Sequence, residues 1–268
     1  MTSDLRAPGH LFRKPTNDFK AGNPVTALYD TIGQGYSTLR KPDDRIAAHI
    51  HAALGPAQTV VNIGAGTGSY EPADRKVTAV EPSLTMIRQR PKSEAAIVQC
   101  SAEALPFEDK SFDASMAVLT IHHWSDRAKG LAEMRRVTRD RMVIVTFDPD
   151  FSDFWLLDYF PELKETDKGR MPGMAELRAL LGPGSISPLL IPQDCTDGFA
   201  AAYWKRPEAY LDEQVRAAMS PFRLAGDISA GLDRLARDLE TGEWHARHAD
   251  LLRASEMDCG YRLVEVTP

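Results

Sequence analysis

The sequence predicts an α/β protein built on a doubly wound, mostly parallel sheet. Short β-branched runs alternate with helical stretches between residues 59 and 147, which is the rhythm of βαβ crossovers in a sheet covered on both faces. The first run ends in Gly64-Ala65-Gly66-Thr67-Gly68 and the second in Glu81, so candidate ligand groups stand at strand ends, where such sheets bind. Hydrophobic residues make up 43% and charged residues 26% of the chain, a globular composition that argues against disorder.

Residues 1–23 have no apolar periodicity and no apolar signal core, and are expected to form an N-terminal arm. Between 27 and 54, Leu28, Ile32, Ile46, Ile50 and Leu54 fit helical spacing. Pro42 divides this stretch, Asp43 or Asp44 caps its second piece, and Gly55-Pro56 stops it. Strands are predicted at 59–63, 77–80, 95–98, 114–120 and 142–147, with helices at 83–89 and 127–137. After Pro149 the chain turns irregular and aromatic, with Phe151, Phe154, Trp155, Tyr159 and Phe160 close together. A helix at 174–181 and a strand at 186–191 resume the alternation. Residues 192–258 read mostly helical, with helices at 199–204, 210–219 and 232–239, and 261–266 reads as a closing strand.

At 268 residues, length alone allows about 1.8 domains of ordinary size. The pattern assigns it to one domain, 24–268, preceded by the arm and carrying a helical cap insertion at about 193–258. Lys and Arg number 32 against 38 Asp and Glu, a net charge of −6, which argues against a nucleic-acid partner. No run of about eighteen apolar residues is present, so no membrane helix is expected. Cys100, Cys195 and Cys259 are odd in number and far apart, and read as buried or spare thiols of a reducing, cytoplasmic compartment. His49, His51, His245 and His248 lack a ligand pattern, so no metal is expected.

The glycine loop is the informative element. Its glycines let the chain turn at the end of a strand and let a ligand approach the backbone. A dinucleotide site wants Gly-x-Gly-x-x-Gly, but Ser69 stands at the third glycine position and Gly68 falls one residue early. Only eight residues, 69–76, separate Gly68 from Val77, with Pro72 among them, too few for the helix whose N-terminus holds a pyrophosphate. A ligand without phosphates does not need that helix. The loop therefore favours an adenosine-bearing cofactor such as S-adenosyl-L-methionine, with Glu81 accepting from two ribose hydroxyls.

Four motifs then occur in order: Val60-Val61-Asn62-Ile63-Gly64-Ala65-Gly66-Thr67-Gly68; Val80-Glu81-Pro82-Ser83 with Met86; Ala102-Glu103-Ala104-Leu105-Pro106-Phe107 with Ser111-Phe112-Asp113; and Leu119-Thr120-Ile121-His122-His123-Trp124-Ser125-Asp126. With these the chain resembles the class I S-adenosylmethionine-dependent methyltransferases, in the branch of the ubiquinone and menaquinone C-methyltransferases, over about 29–149. The resemblance implies a Rossmann-like sheet of seven strands with the last antiparallel and a helical insertion before it. It also implies methyl transfer from S-adenosyl-L-methionine, leaving S-adenosyl-L-homocysteine, to a small-molecule acceptor, by a monomer or homodimer.

By the same resemblance, Gly64, Ala65, Gly66 and Gly68 line the methionine and ribose, Glu81 binds the ribose, and Pro82 and Met86 pack near the adenine. Ala102 offers its amide to the adenine ring, flanked by Ser101 and Glu103, and Leu119 lies under the methionine. The sequence departs from the family at Asn62, usually Asp, at Ser101, often acidic, and in its short first crossover. In similar enzymes the N-terminal region folds over the cofactor, so Tyr36 or Arg40 is expected at the cofactor carboxylate and Tyr29 near the acceptor.

Methyl transfer is a direct displacement that chiefly needs alignment. His122 and His123, beside the methyl, are the candidate bases. Trp155, Tyr203 and Trp204 are candidate acceptor-pocket walls, or core. Asp148 is placed to bind an acceptor amine or hydroxyl, or to cap the following turn. Two alternatives use the same fold: a module that binds the cofactor without turnover, and an enzyme that cyclises the cofactor's own methionine chain.

Overall fold

The computed structural model describes residues 40–268. Helix α1 (Asp44–Ala53) starts at Asp43, whose carboxylate accepts from the Arg45 N–H at 3.0 Å. β1 (Thr59–Ile63), β2 (Lys76–Val80), α2 (Leu84–Arg88) and β3 (Ala96–Val98) follow. No helix lies between β1 and β2, so the short first crossover is a run of turns. β4 (Phe112–Val118) begins two residues before the predicted strand and ends before Leu119 and Thr120. Asp126 caps α3 (Arg127–Val137) by accepting from the Lys129 N–H at 2.9 Å. β5 (Thr138–Phe147) leaves that helix directly, four residues earlier than predicted.

Seven strands form one sheet in the order β3-β2-β1-β4-β5-β9-β6. β1 to β5 run parallel, and β9 (Tyr261–Val266) enters antiparallel between β5 and β6 (Gly184–Pro188). This is the expected doubly wound sheet with its last strand reversed. The predicted strand at 186–191 is two elements. Pro188 closes β6, and the chain then leaves the sheet so that β7 (Ile191–Pro192) pairs with β8 (Glu256–Met257). That ribbon joins the two ends of the helical segment.

Short helices α4 (Leu156–Tyr159) and α5 (Glu162–Asp167) follow β5, and α6 (Met174–Leu181) matches its predicted bounds. Beyond β7 come α7 (Glu213–Ala217), α8 (Ser220–Leu224), α9 (Ser229–Glu240) and α10 (Glu243–Arg247). The predicted helix at 199–204 is turns, and that at 210–219 is a 3-10 turn followed by α7. One core joins α1 and one face of the sheet to α4, α5 and the 193–258 segment; the other packs α3 and α6 on the opposite face. The three cysteines are free and buried. Among the described residues no helix is long and apolar enough to cross a membrane.

Candidate active site

The sheet order changes direction between β1 and β4, and the crevice at such a switch point is where doubly wound sheets bind ligands. The loop leaving β1 there turns through Gly64, Gly66 and Gly68, with φ of +72°, +52° and +91°. A Cβ on Gly64 would lie 2.0 Å from Thr120 Oγ1, so only glycine lets the β1 and β4 loops touch. The Gly64 and Ala65 N–H groups both donate to the Val80 carbonyl at 2.9 Å, tying the loop to the end of β2.

Glu81 follows β2 and is 6% exposed. Its Oε2 accepts from the Gly66 N–H at 2.8 Å and its Oε1 from the Ser83 N–H at 2.9 Å. Each oxygen retains a lone pair for a ligand. Burial raises its pKa, against the opposing pull of the Ser83 and Gly66 amides and of Arg90. Met86 Cε lies 3.4 Å from where a Gly66 Cβ would be, placing it beside the loop.

Asn62 has a physical role that its neighbours explain. Its amide donates to Glu71 Oε1 at 2.9 Å, and Glu71 Oε2 accepts from Arg90 Nη2 at 2.6 Å. Arg90 Nη1 reaches the Gly66 carbonyl at 3.3 Å. The Arg90 and Glu71 side chains are 3% and 9% exposed, so a buried ion pair supports the glycine loop from beneath. An Asp at 62 would set a second negative charge beside Glu71. Glu71 and Arg90 stand in no motif and were not legible in the sequence; Asn62, neutral where the family resemblance implies Asp, was the one signal of this arrangement.

Across the crevice, Ala102 is buried and Pro82 half-buried. Ser101 hydrogen-bonds the Glu103 carboxylate, which also accepts from the Ser125 hydroxyl at 2.9 Å and the Asp126 N–H at 3.2 Å. Burial pushes Glu103 up, but these bonds outweigh it and its pKa is lowered.

Leu119 holds a left-handed backbone, φ +50°, fixed by its N–H to the Val145 carbonyl at 2.8 Å. A branched side chain in that region stores strain, a recurring mark of functional sites. Beyond it opens a cavity of about 1100 Å³, its solvent mouth included. Its walls are mostly apolar: Leu119, Phe147 and Tyr261 from the sheet, Phe154, Leu156 and Leu163 after β5, and Phe199, Met219 and Leu224 from the 193–258 segment. Polar groups enter through His122, His123, Asp167, Arg170 and Arg40. The His122 and His123 rings stand 3.8 Å apart, tilted by 51°. Burial drives the His122 pKa well below its ordinary value, helped by His123, Arg170 and Arg127. Burial and Arg170 push His123 down to about 3. Both rings are neutral at neutral pH, good hydrogen-bonding groups but weak bases.

The remaining predicted residues fall differently. Tyr29 and Tyr36 lie outside the described residues. Arg40 lines the cavity, but its Nε binds Asp197 Oδ1 at 2.5 Å, and Asp197 Oδ2 accepts from the Tyr70 hydroxyl at 2.7 Å. Asp148 lies off the cavity, accepting from the Asp150 N–H at 3.1 Å and facing Arg262 at 3.6 Å; it caps the turn. Trp155 and Trp204 are core residues, Trp155 Nε1 donating to the Trp204 carbonyl at 2.8 Å and Trp204 Nε1 to that of Ile191 at 2.9 Å. Tyr203 lies under the Arg206 guanidinium at 4.6 Å. The cavity is lined instead by Phe154, Leu156, Ala200 and Ala201. Among the described residues no group of three or more His, Cys, Asp or Glu is placed to hold a metal.

Residues 61–145 match the family described as methyltransferase domain. The chain is 35% identical over 151 residues to a demethylmenaquinone methyltransferase of Renibacterium salmoninarum, across 50% of this chain and 64% of that protein, less than two thirds of its length. It is 30% identical over 173 residues to a ubiquinone/menaquinone biosynthesis C-methyltransferase of Citrifermentans bemidjiense, across 53% and 74%. A crystal structure described as a methyltransferase from an antibiotic biosynthesis pathway of Anabaena variabilis superposes with a TM-score of 0.79 at 38% identity, across 87% of this chain and all of that one.

Proposed function

Because the chain belongs to the S-adenosylmethionine-dependent methyltransferase family, we propose that it transfers a methyl group to a small, largely apolar acceptor. The observation that carries this is the position of Leu119: it lines the apolar cavity with a strained backbone, and the next residue, Thr120, packs against Gly64 of the glycine loop. The crevice suits the cofactor. The Glu81 carboxylate is held by two backbone amides with acceptor capacity left for a ribose diol. No helix follows Gly68 to receive phosphates.

Gly64, Ala65, Gly66 and Gly68 would hold the methionine and ribose, Pro82, Met86 and Ala102 the adenine, with Ser101 and Glu103 shaping that end. When bound, the cofactor supplies an electrophilic sulfonium methyl. The chain's own part is to align the acceptor across Leu119 and keep water out. Neutral His122 and His123 accept or donate hydrogen bonds on the acceptor side. The 193–258 segment acts as the cap over that side. The names of the relatives, which act in quinone biosynthesis, support an acceptor with an apolar body. The net charge of −6 supports a free small molecule and not nucleic acid. We place the activity in the cytoplasm, in a monomer or homodimer.

The test joins binding to turnover. Calorimetric titration with S-adenosyl-L-homocysteine should show Glu81→Ala binding roughly a hundredfold more weakly, the loss of about 3 kcal/mol of charge-assisted bonding. Wild-type affinity in that variant would overturn the ribose assignment. With methyl-labelled cofactor and a metabolite extract, label should appear in a new small product. Binding without turnover would mark a binding module, and release of methylthioadenosine would mark cyclisation.

A further inference from the structure

The cavity is largely apolar, with a polar pole where Asp167, Arg170 and His122 enter it, and one atom of each of these three lacks a partner. Asp167, at the end of α5, is 8% exposed, and its Oδ1 has no hydrogen-bond partner. Arg170 follows three residues later, and its Nη1 is also buried without a partner. His122 Nδ1, from the turn after β4, is the third such atom. All three residues line the same cavity. Arg170 acts on Asp167 electrostatically, yet Asp167 Oδ1 and Arg170 Nη1 are not hydrogen-bonded to each other. A buried carboxylate and a half-buried arginine that do not close on each other leave room for a third group.

We infer that this pole receives an un-ionised hydroxyl of the acceptor, a phenol or enol, with Asp167 accepting its hydrogen bond and then its proton, and Arg170 holding the oxygen. The inference rests on the methyltransferase reading and names the acceptor class for that same site. The atoms balance: the acceptor O–H bond breaks, its proton passes to Asp167 Oδ1, and its electron pair stays on the oxygen or the conjugated carbon. That atom forms the new bond to the methyl, and the C–S bonding pair returns to sulfur.

Burial raises Asp167 to about 6 against the opposing pull of Arg170, near the range suited to a base at neutral pH. The histidines are poor candidates for that step because burial keeps their pKa values low. The other charged and titratable groups at the pole are Arg127 on α3, which acts on His122 and donates to the Arg170 carbonyl at 2.6 Å, Tyr261 on β9, whose ionisation Asp167 disfavours and Arg40 favours, and His123, which Arg170 keeps neutral. Arg223 on α8 lines the same cavity. With Arg40 paired to Asp197, Asp167 is the carboxylate of the cavity wall.

The test uses 4-ethylphenol as the probe and 4-ethylanisole as its hydroxyl-free counterpart, each titrated into the protein with S-adenosyl-L-homocysteine present. The phenol stays neutral between about pH 5 and about pH 8. The wild type should prefer it by about tenfold at the upper end, and the preference should fade as pH falls through about 6. Asp167→Asn should lose the pH-dependent part while its affinity for S-adenosyl-L-homocysteine and its far-UV spectrum stay unchanged. Arg170→Lys should weaken phenol binding and keep the pH dependence. Equal binding of the two probes, binding of neither, or a retained pH-dependent preference in Asp167→Asn would overturn the inference. Failure of the wild type to bind S-adenosyl-L-homocysteine would instead overturn the cofactor reading.

Discussion

Asp167 illustrates how a single side chain shifts stability with pH. Its folded pKa of about 6 lies above the ordinary 3.8, so the native state holds the proton more tightly than the unfolded chain. Its contribution to stability therefore improves as pH falls from about 6 toward about 4, and at pH 8 the ionised group costs about 3 kcal/mol. Asp167→Asn is expected to raise the urea midpoint at about pH 8 and to leave it nearly unchanged at about pH 4. An equal shift at both would show that the carboxylate's charge is not the cause. The histidines act in the opposite sense: with folded values below 6.5, the stability linked to their neutral forms is present above that value and lost as pH falls toward about 3. At this scale the sequence disclosed Glu81, the glycines and the histidines, because each stands at a strand end within a spaced motif. Asp167 and Arg170 sit in an irregular stretch with no period, and only the path of the chain after β5 brings them to the cavity.

Elements explain why the glycine loop tolerates so little. Gly64 and Gly66 both have positive φ, yet their surroundings differ. A Cβ at Gly64 meets Thr120 Oγ1 at 2.0 Å and Thr120 Cβ at 2.9 Å, whereas one at Gly66 meets only the flexible Met86 Cε at 3.4 Å. Gly64→Ala should therefore destabilise the fold by about 3 kcal/mol and abolish binding of S-adenosyl-L-homocysteine. Gly66→Ala, with backbone strain alone, should cost about 1 kcal/mol. Thermal melting of the two variants gives the comparison, and equal losses would show that contact with Thr120 is not what demands glycine at 64. Sequence periodicity located α3, α6 and β9 to the residue, since each has one buried face with a clear cap or flanking turn. It misread 186–191 and 199–204, where proline and tertiary contacts decided: Pro188 ends the pairing with β9, and 199–204 is held by Trp204 Nε1 on the Ile191 carbonyl.

Across the whole molecule, the 193–258 segment, which we propose caps the cavity, and the sheet are bound into one unit by a shared core and by charge. Val60, Met116 and Val145 on the sheet belong to the same buried cluster as Trp155, Trp204 and Trp244. Three carboxylates at the root of the 193–258 segment and the start of α1 tie the same parts together: Asp43 accepts from the Thr196 N–H at 3.1 Å, and Asp194 and Asp197 pair with Arg45 and Arg40. A cap with its own core would unfold on its own, but here removing it would expose one face of the sheet. The expected outcome is a single urea transition, with coincident midpoints by tryptophan fluorescence and far-UV circular dichroism. Trp155, Trp204 and Trp244 report the cap side, Trp124 packs on the opposite core, and the ellipticity reports the sheet and helices together. An earlier fluorescence midpoint would mean that the cap opens before the sheet does. The acceptor side of the cavity would then be assembled from a less stable part, and acceptor affinity would fall at denaturant concentrations that leave cofactor affinity intact.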